Sequence, residues 1–296
     1  MIRNCKFAGT WYKDTQQGLE RQLRVLFLDT KFGPGIDPHK TPSPKANTGN
    51  FIGIISPHAS LQASGVVAAN SYIELFRKNR EMDSVIILGP NHVGIGNSVS
   101  IYPRGSWKTP LGDLQIDQEI TEFAQEYQFS QKKQVSFDIE SQESEHSIEI
   151  QLPFLKYLYA DNLQIVPICI AKQTPDISEM LAVFIYDLID KFSNKRISVI
   201  ASSDLSHESN NYSKLLQNDE IAINSIKSGD AAKFESERVQ NQITTCGYAP
   251  VQTIMKLASK LGKPIIEKLQ YANSKQILGR DDSYVVGYPS LSVSYA

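Results

Sequence analysis

The sequence predicts one α/β domain in which a mostly parallel central sheet carries antiparallel additions and is flanked by helices. Short apolar runs rich in β-branched residues alternate with longer segments of helical periodicity, as expected of buried parallel strands that are joined by helices. The C-terminal segments instead alternate apolar and polar residues, as half-buried antiparallel strands do. We find no internal repeat and no break in composition that would separate a second domain.

The clearest interruption of the periodic pattern is residues 31–50, which contain four prolines and three glycines. Because proline and glycine disfavour regular pairing, this stretch is predicted to be a long surface loop. The elements predicted after it are a strand at 51–56, a helix at 65–77, strands at 83–89 and 162–170, a helix at 177–192, a strand at 196–202, and strands at 265–272, 283–287 and 291–295.

Charge and cysteine content exclude several classes of function. Thirty basic residues against thirty-two acidic ones give a formal charge of −2, which is too balanced for a general affinity for nucleic acid or anionic lipid. No uninterrupted apolar run reaches ~18 residues and the N-terminus has no apolar signal region, so neither membrane insertion nor export is expected. The widely spaced Cys5, Cys169 and Cys246 form no CxxC motif, which argues against a disulfide framework and predicts a cytoplasmic location.

Histidine is scarce in this chain, and three of the five histidines follow predicted strands. His58 follows the strand at 51–56, His92 follows the strand at 83–89, and Asp204 and His207 follow the strand at 196–202. One such histidine alone is most simply a hydrogen-bonded loop residue. Because the carboxyl ends of parallel strands form the ligand crevice of open α/β sheets, three of them predict a shared site if the strands are neighbours.

His146 stands at the start of a predicted helix, with Ser144 as the candidate N-cap. The simplest interpretation is a capping residue. We favour a supporting role in a site, in which Glu145 or His146 orients a metal ligand by hydrogen bonding. His39 lies in the proline-rich stretch and is expected to be solvated.

Cys246 precedes Gly247 and a proline that could open the next helix. A helix N-terminus stabilises a thiolate, so we expect the pKa of Cys246 to lie below the ordinary value of ~8.5. Cys169 lies in an apolar strand and is better explained as a small buried residue. Two imidazoles and one thiolate make a three-ligand site with an open position. Imidazole suits zinc, copper and iron, and the thiolate tilts the choice of metal towards copper(I) or zinc.

Six segments resemble, in this order, the signature segments of the Memo family, which includes the animal mediator of ErbB2-driven cell motility and the "AmmeMemoRadiSam system protein B" group. They are AGTWY (8–12), SPHASLQASG (56–65), ILGPNH (87–92), ESEHSIEIQLPFL (143–155), SSDLSHE (202–208) and CGYAP (246–250). The resemblance implies a single Memo-like domain over residues 1–296, with a fold similar to that of class III extradiol dioxygenases.

The resemblance also implies roles for individual residues. His58 and His92 match the two histidine ligands of the family, and Cys246 stands where the dioxygenases carry a ligand glutamate. His207 matches their acid–base histidine, with Asp204 beside it. Iron or copper is the implied metal ion, with zinc as the alternative. Because a thiolate is softer and more easily oxidised than a carboxylate, ordinary ring cleavage is not expected.

Three functions stay open at this point. The first is a metal-binding redox protein or oxidoreductase of unknown substrate. The second is a non-catalytic binding module whose vestigial pocket, lined by Trp11, takes a small molecule or a (phospho)peptide, as the resemblance to the animal member suggests. The third is a metal-free hydrolase built on Ser203 or Cys246 with His207, although Ser203 lacks the GxSxG elbow.

Overall fold

A computed structural model describes residues 1–41, 50–280 and 283–296. The described helices are α1 (Gln16–Leu28), α2 (Gly65–Lys78), α3 (Gln118–Glu126), α4 (Glu140–Glu143), α5 (His146–Glu149), α6 (Leu152–Tyr159), α7 (Pro175–Lys191), α8 (Tyr212–Lys227), α9 (Ala231–Gln240), α10 (Tyr248–Leu261) and α11 (Ser274–Leu278). The strands are β1 (Ile2–Arg3), β2 (Asn50–Ser56), β3 (Ser84–Pro90), β4 (Val99–Ile101), β5 (Ser106–Thr109), β6 (Gly112–Ile116), β7 (Val135–Ser136), β8 (Gln164–Ile170), β9 (Ile197–Ser202), β10 (His207–Ser209), β11 (Pro264–Asn273) and β12 (Tyr284–Tyr295).

One mixed sheet runs through the molecule, with its main strands in the order β1-β5-β6-β8-β3-β9-β2-β12-β10. Within the run β6-β8-β3-β9-β2, each strand is parallel to the next one. Strand β12 is antiparallel to β2, β10 and β11. The predicted α/β class, with a mostly parallel core and antiparallel additions, is confirmed.

Strand β3 shows why the core strands are apolar along their whole length. Its side chains alternate between two hydrophobic clusters, with Ile86 and Leu88 in one and Val85 and Ile87 in the other. Helices α3, α7, α8, α9 and α10 contribute to the first cluster, and α1, α2, α5 and α6 contribute to the second. Because both faces of the sheet are covered, both sets of side chains must be apolar.

Helix α7 follows the predicted periodicity closely but starts earlier than predicted. The side chain of Thr174 accepts a hydrogen bond from the N–H of Ile177, and Pro175 occupies the first helical turn, where its missing N–H has no cost. Of the four apolar residues at helical spacing, Met180, Phe184 and Leu188 are buried and Val183 is exposed. Helices α1, α3, α8 and α9 were not predicted, and they mix polar with apolar residues.

The C-terminal strands differ from the prediction. The segments predicted as separate strands at 283–287 and 291–295 form the single strand β12. This strand pairs with β11 from Gly287 to Tyr295 and so continues through Pro289. Pairing with β2 begins only at Leu291, so the missing N–H of Pro289 removes no bond to that strand.

The predicted surface loop is described only in part. Residues 31–41 are irregular except for a 3₁₀ turn at Pro38–Lys40, and residues 42–49 of the predicted loop lie outside the described residues. No helix in the described ranges combines the length and apolar character needed to cross a membrane.

The order of the central strands decides where the site lies. Strands β3, β9 and β2 are consecutive in the sheet and parallel to one another, so their carboxyl ends share one edge. The loops that leave these ends carry His92, Asp204 and His58. The predicted shared site required these strands to be neighbours, and in the structure they are.

Candidate metal centre

His58 is the buried centre of the site, and its hydrogen bonds define its protonation. Its Nδ1 lies 2.9 Å from the Oγ of Ser202, whose own proton is donated to the carbonyl oxygen of Ser147 at 2.7 Å. Because Ser202 has only one proton to give, Nδ1 of His58 must donate to it. The lone pair of His58 is therefore on Nε2, which lies 3.0 Å from the Sγ of Cys246.

His92 and His146 are both held by the carboxylate of Glu145. Its Oε1 lies 2.9 Å from Nδ1 of His92 and 3.4 Å from Nδ1 of His146, and it accepts the N–H groups of His146 and Ser147. Burial raises the pKa of Glu145, but hydrogen bonds from His92 and Ser147 and the nearby imidazoles outweigh this effect and lower it to about 2. Glu145 thus stays ionised and fixes both imidazole rings.

Glu145, not Ser144, is the N-cap of α5, which corrects the predicted cap. Its side chain accepts the hydrogen bonds of the first turn, while Ser144 ends the preceding helix α4. A carboxylate is favoured there because it satisfies free N–H groups and complements the helix dipole. One side chain therefore caps a helix and orients two histidines.

The three imidazoles form one candidate ligand set, which we call the histidine trio: His58, His92 and His146. One ligand atom from each lies within 4.8 Å of the others. The rings of His92 and His146 stack with their centroids 4.3 Å apart, and the ring of His58 is 5.2 Å from that of His92. Burial and neighbouring histidines hold the pKa of His58 well below 6.5, and burial lowers that of His146 to about 4. Both rings are therefore neutral at neutral pH, as metal coordination requires.

A second candidate set shares His58 with Asp204 and Cys246, and we call it the thiol trio. One ligand atom from each again lies within 4.8 Å of the others. The N–H of Asp204 donates to the Sγ of Cys246 at 3.2 Å, and its Oδ1 accepts the N–H of His58 at 2.8 Å. His58 is the member common to both trios, and among the described residues His92 and Cys246 share no set of this kind, so one ion bound by His58, His92 and Cys246 would need the side chains to move closer together.

The expected low pKa of Cys246 is wrong for the metal-free protein. Desolvation and the carboxylate of Asp204 raise the pKa of this thiol well above its ordinary value. Helix α10 begins only at Tyr248, with Gly247 as its N-cap, so Cys246 lies before the first turn. Gly247 packs so closely on the end of β9 that an added Cβ would lie 2.3 Å from the carbonyl oxygen of Ser202. Cys246 is therefore half-buried beside the end of β9 rather than at an open helix terminus.

His207 lies at the rim of the site, where it begins β10 and is half-buried. Among the described residues it belongs to neither trio. Burial raises the pKa of Asp204 to about 6, and His207 is the largest influence that opposes this shift. His207 is therefore a close electrostatic neighbour of the thiol trio.

Two aromatic side chains, Trp11 and Phe7, lie beside His146, and we call them the aromatic wall. The ring centroid of Trp11 lies 4.6 Å from that of His146 and 5.1 Å from that of Phe7. The buried carboxylate of Glu149 holds this segment by accepting the N–H of Phe7 at 2.8 Å and the hydroxyl of Tyr12 at 2.7 Å. Sequence reasoning missed Phe7, Glu149 and Ser202, because their roles depend on contacts with residues far away in the chain.

Comparisons with known proteins identify the family of this chain. A family model described as "Memo-like protein" matches residues 3–292. A "MEMO1 family protein" of Sulfurisphaera tokodaii is 40% identical over 293 residues, covering 98% of this chain and 99% of the relative. Proteins of the same description from Sulfolobus acidocaldarius and Methanobrevibacter smithii are 40% and 39% identical, each over 98% of this chain and 99% of the relative. The chain belongs to the Memo family.

Proposed function

We propose that this protein is a redox-active metalloprotein that holds a copper or iron ion with His58, His92 and Cys246, zinc being the alternative. The observation that carries the proposal is the unprotonated Nε2 of His58, which faces the Sγ of Cys246 at 3.0 Å and belongs to the same cluster as the imidazoles of His92 and His146. Such a donor set fits a soft or borderline metal ion. A bound copper or iron ion would supply one-electron chemistry and an open position for a substrate.

The hydrogen-bond partners of the ligands support this assignment. Ser202 fixes the tautomer of His58, and Glu145 does the same for His92. In both rings Nδ1 is the anchored nitrogen, which leaves Nε2 for coordination. Such partners raise the basicity of an imidazole and hold its orientation. Nδ1 of His146 lies 3.4 Å from the same Glu145 oxygen, a longer contact, and His146 is the alternative third imidazole.

A second function, the binding module, is favoured by the aromatic wall of Phe7 and Trp11 beside His146. In such a module a bound metal ion would supply positive charge for an anionic peptide group. Phosphotyrosine that binds equally well with and without metal would favour the module over the metalloprotein.

The direct test is the metal content of protein purified without chelator. We expect about one copper or iron ion per chain by mass spectrometry of the metals, and no oxygen uptake with catechols. Apoprotein that fails to bind either ion when it is added back would contradict the proposal.

A cytoplasmic location, which we also propose, would keep the unpaired thiols of Cys5 and Cys246 reduced.

Metal affinity is expected to rise with pH by about tenfold per unit around neutrality. The pKa of Cys246 lies above its ordinary value, so the thiol must lose its proton when the metal binds. His58 and His146 are already neutral there and contribute no protons. Calorimetric titrations in buffers of different ionisation enthalpy count the protons released. Release of no proton would remove Cys246 from the ligand set.

The substitution Glu145→Gln is expected to weaken metal binding by about 10–100-fold. Glutamine keeps the shape of the side chain but loses the charge that holds the Nδ1–H of His92. The half-buried Glu143, two residues earlier, belongs to neither trio in the described structure, and Glu143→Gln is the matched control that should bind metal as the unchanged protein does. Equal affinities for both variants would show that His92 needs no orienting carboxylate.

A further inference from the structure

We propose that Thr244 is a positioning residue that holds His207 with a proton on Nδ1, leaving Nε2 to accept a proton from a ligand at the metal centre. The inference deepens the proposed function and rests on it for the identity of the site at which His207 acts. It concerns a residue outside both trios and outside the aromatic wall.

Three hydrogen bonds join the same two residues. The N–H of His207 donates to the Oγ1 of Thr244 at 2.8 Å, and that hydroxyl donates to the carbonyl oxygen of His207 at 3.1 Å. Nδ1 of the His207 ring lies 3.0 Å from the carbonyl oxygen of Thr244. A carbonyl oxygen has no proton to give, so Nδ1 is the donor and Nε2 carries the lone pair.

Thr244 belongs to a short segment that contacts the site at each successive residue. Thr244 contacts His207, the Oγ1 of Thr245 donates to the carbonyl oxygen of Asp204 at 2.8 Å, and the Sγ of Cys246 contacts His58. The segment lies between the end of α9 and the start of α10. The chain that delivers the thiol therefore also sets the orientation of His207.

Burial does not account for threonine at position 244, because this residue is exposed. The backbone of His207 pairs with Val286 of β12. The N–H of His207 also donates to the side chain of Thr244, as it would to a residue of an adjacent strand. That backbone role alone would need no contact with the ring. The bond from Nδ1 to the Thr244 carbonyl is what assigns Thr244 to the chemistry of His207.

In the step that this arrangement allows, the O–H bond of a protic ligand breaks and its proton moves to Nε2 of His207. The electron pair stays on the ligand oxygen, which becomes an anion, while His207 becomes an imidazolium with both nitrogens protonated. Its Nδ1–H remains bonded to the Thr244 carbonyl throughout. A fixed base of this kind needs no ring rotation before it accepts a proton.

The tautomer can be read directly by long-range ¹H–¹⁵N spectra of the imidazole rings in the full chain at about pH 8, where free imidazole is neutral. Only five histidines are present, and His207→Ala identifies the signals of His207 by their loss. We expect a protonated Nδ1 and an unprotonated Nε2. A protonated Nε2 in the unchanged protein would overturn the proposal.

Two variants test the role of the hydroxyl. Thr244→Val has the same shape without the hydroxyl and so loses the two hydrogen bonds that hold the Thr244 backbone against His207. We expect the carbonyl of residue 244 to move away from Nδ1 and the Nε2 signal of His207 to shift towards the protonated form. Thr244→Ser restores the hydroxyl and should restore the signal of the unchanged protein. A spectrum of Thr244→Val identical to that of the unchanged protein would refute a positioning role for Thr244.

The same samples separate this inference from the proposed function. Added Zn²⁺, a diamagnetic probe ion, should move the ring signals of His58 and His92 in the unchanged protein and in Thr244→Val alike. No response to zinc at these rings would count against the metal centre and leave the tautomer of His207 as measured. A normal zinc response together with a protonated Nε2 on His207 would overturn only the role of Thr244.

Discussion

Replacing Cys246 by serine is expected to lower metal affinity by at least about 100-fold, since loss of an outer hydrogen-bond partner alone costs 10–100-fold. The Sγ of Cys246 lies 3.0 Å from the unprotonated Nε2 of His58, so an ion bound by His58 would have the sulfur within reach. A serine hydroxyl keeps its proton at neutral pH and is a poor ligand for copper or iron. Competition with a chromophoric chelator measures the affinity.

Two controls make the Cys246→Ser result specific. Cys5→Ser changes a half-buried thiol that belongs to neither trio, and it should leave metal affinity unchanged. His207→Ala should also retain most metal binding, since His207 is placed as a proton acceptor. If Cys246→Ser binds metal normally, the ligands are the three imidazoles of the histidine trio. Equal loss of metal in His207→Ala would make His207 a ligand and contradict its assigned role.

Replacing Arg3 by alanine is expected to lower the free energy of unfolding by about 3–5 kcal/mol. The guanidinium of Arg3 is buried, pairs with the buried carboxylate of Glu149 at 2.5 Å and lies 4.0 Å above the ring of Trp107. It also donates to the carbonyl oxygens of Gln142 and Glu145, which lie on either side of the turn between α4 and α5. Removing it leaves a buried carboxylate without its cation, which is strongly destabilising.

Lys6→Ala is the matched control for Arg3→Ala. Lys6 pairs with Glu143 in the same region, but both side chains are well exposed and the atoms are 3.4 Å apart. Its loss should change the free energy of unfolding by no more than about 1 kcal/mol, because water screens the pair. Urea denaturation followed by circular dichroism measures both variants. If both variants lower the free energy of unfolding by a similarly small amount, Arg3 does not hold the N-terminal segment in place.

The strand-end placement of His58, His92 and Asp204 could be predicted because it follows from local pattern. Apolar runs mark β2, β3 and β9, and the polar residues that follow each run are visible in the sequence. Neighbouring parallel strands end at the same edge of a sheet. If β2, β3 and β9 are neighbours, the residues that follow them must therefore lie close together at that edge. The family resemblance supplied the fold and the expected ligands in addition.

The contacts of Cys246 and Glu145 could not be predicted in the same way. A cysteine before a helix suggested a stabilised thiolate, but desolvation and the carboxylate of Asp204 reverse the shift of its pKa. Glu145 was expected to orient a histidine, but its contact with His92 depends on the approach of the distant loop that follows β3. Solvent exclusion and distances between loops are properties of the packed molecule.

The sequence by itself determined the α/β class, the central strands, the scarcity and strand-end position of the histidines, and membership of the Memo family. Only the tertiary structure decided that β3, β9 and β2 are neighbours, that His146 joins His58 and His92, and that Thr244 anchors His207. The reason is physical: strand and helix patterns arise from the local periodicity of apolar residues, whereas tautomers, pKa shifts and ligand distances arise from groups that meet only after the sheet has assembled.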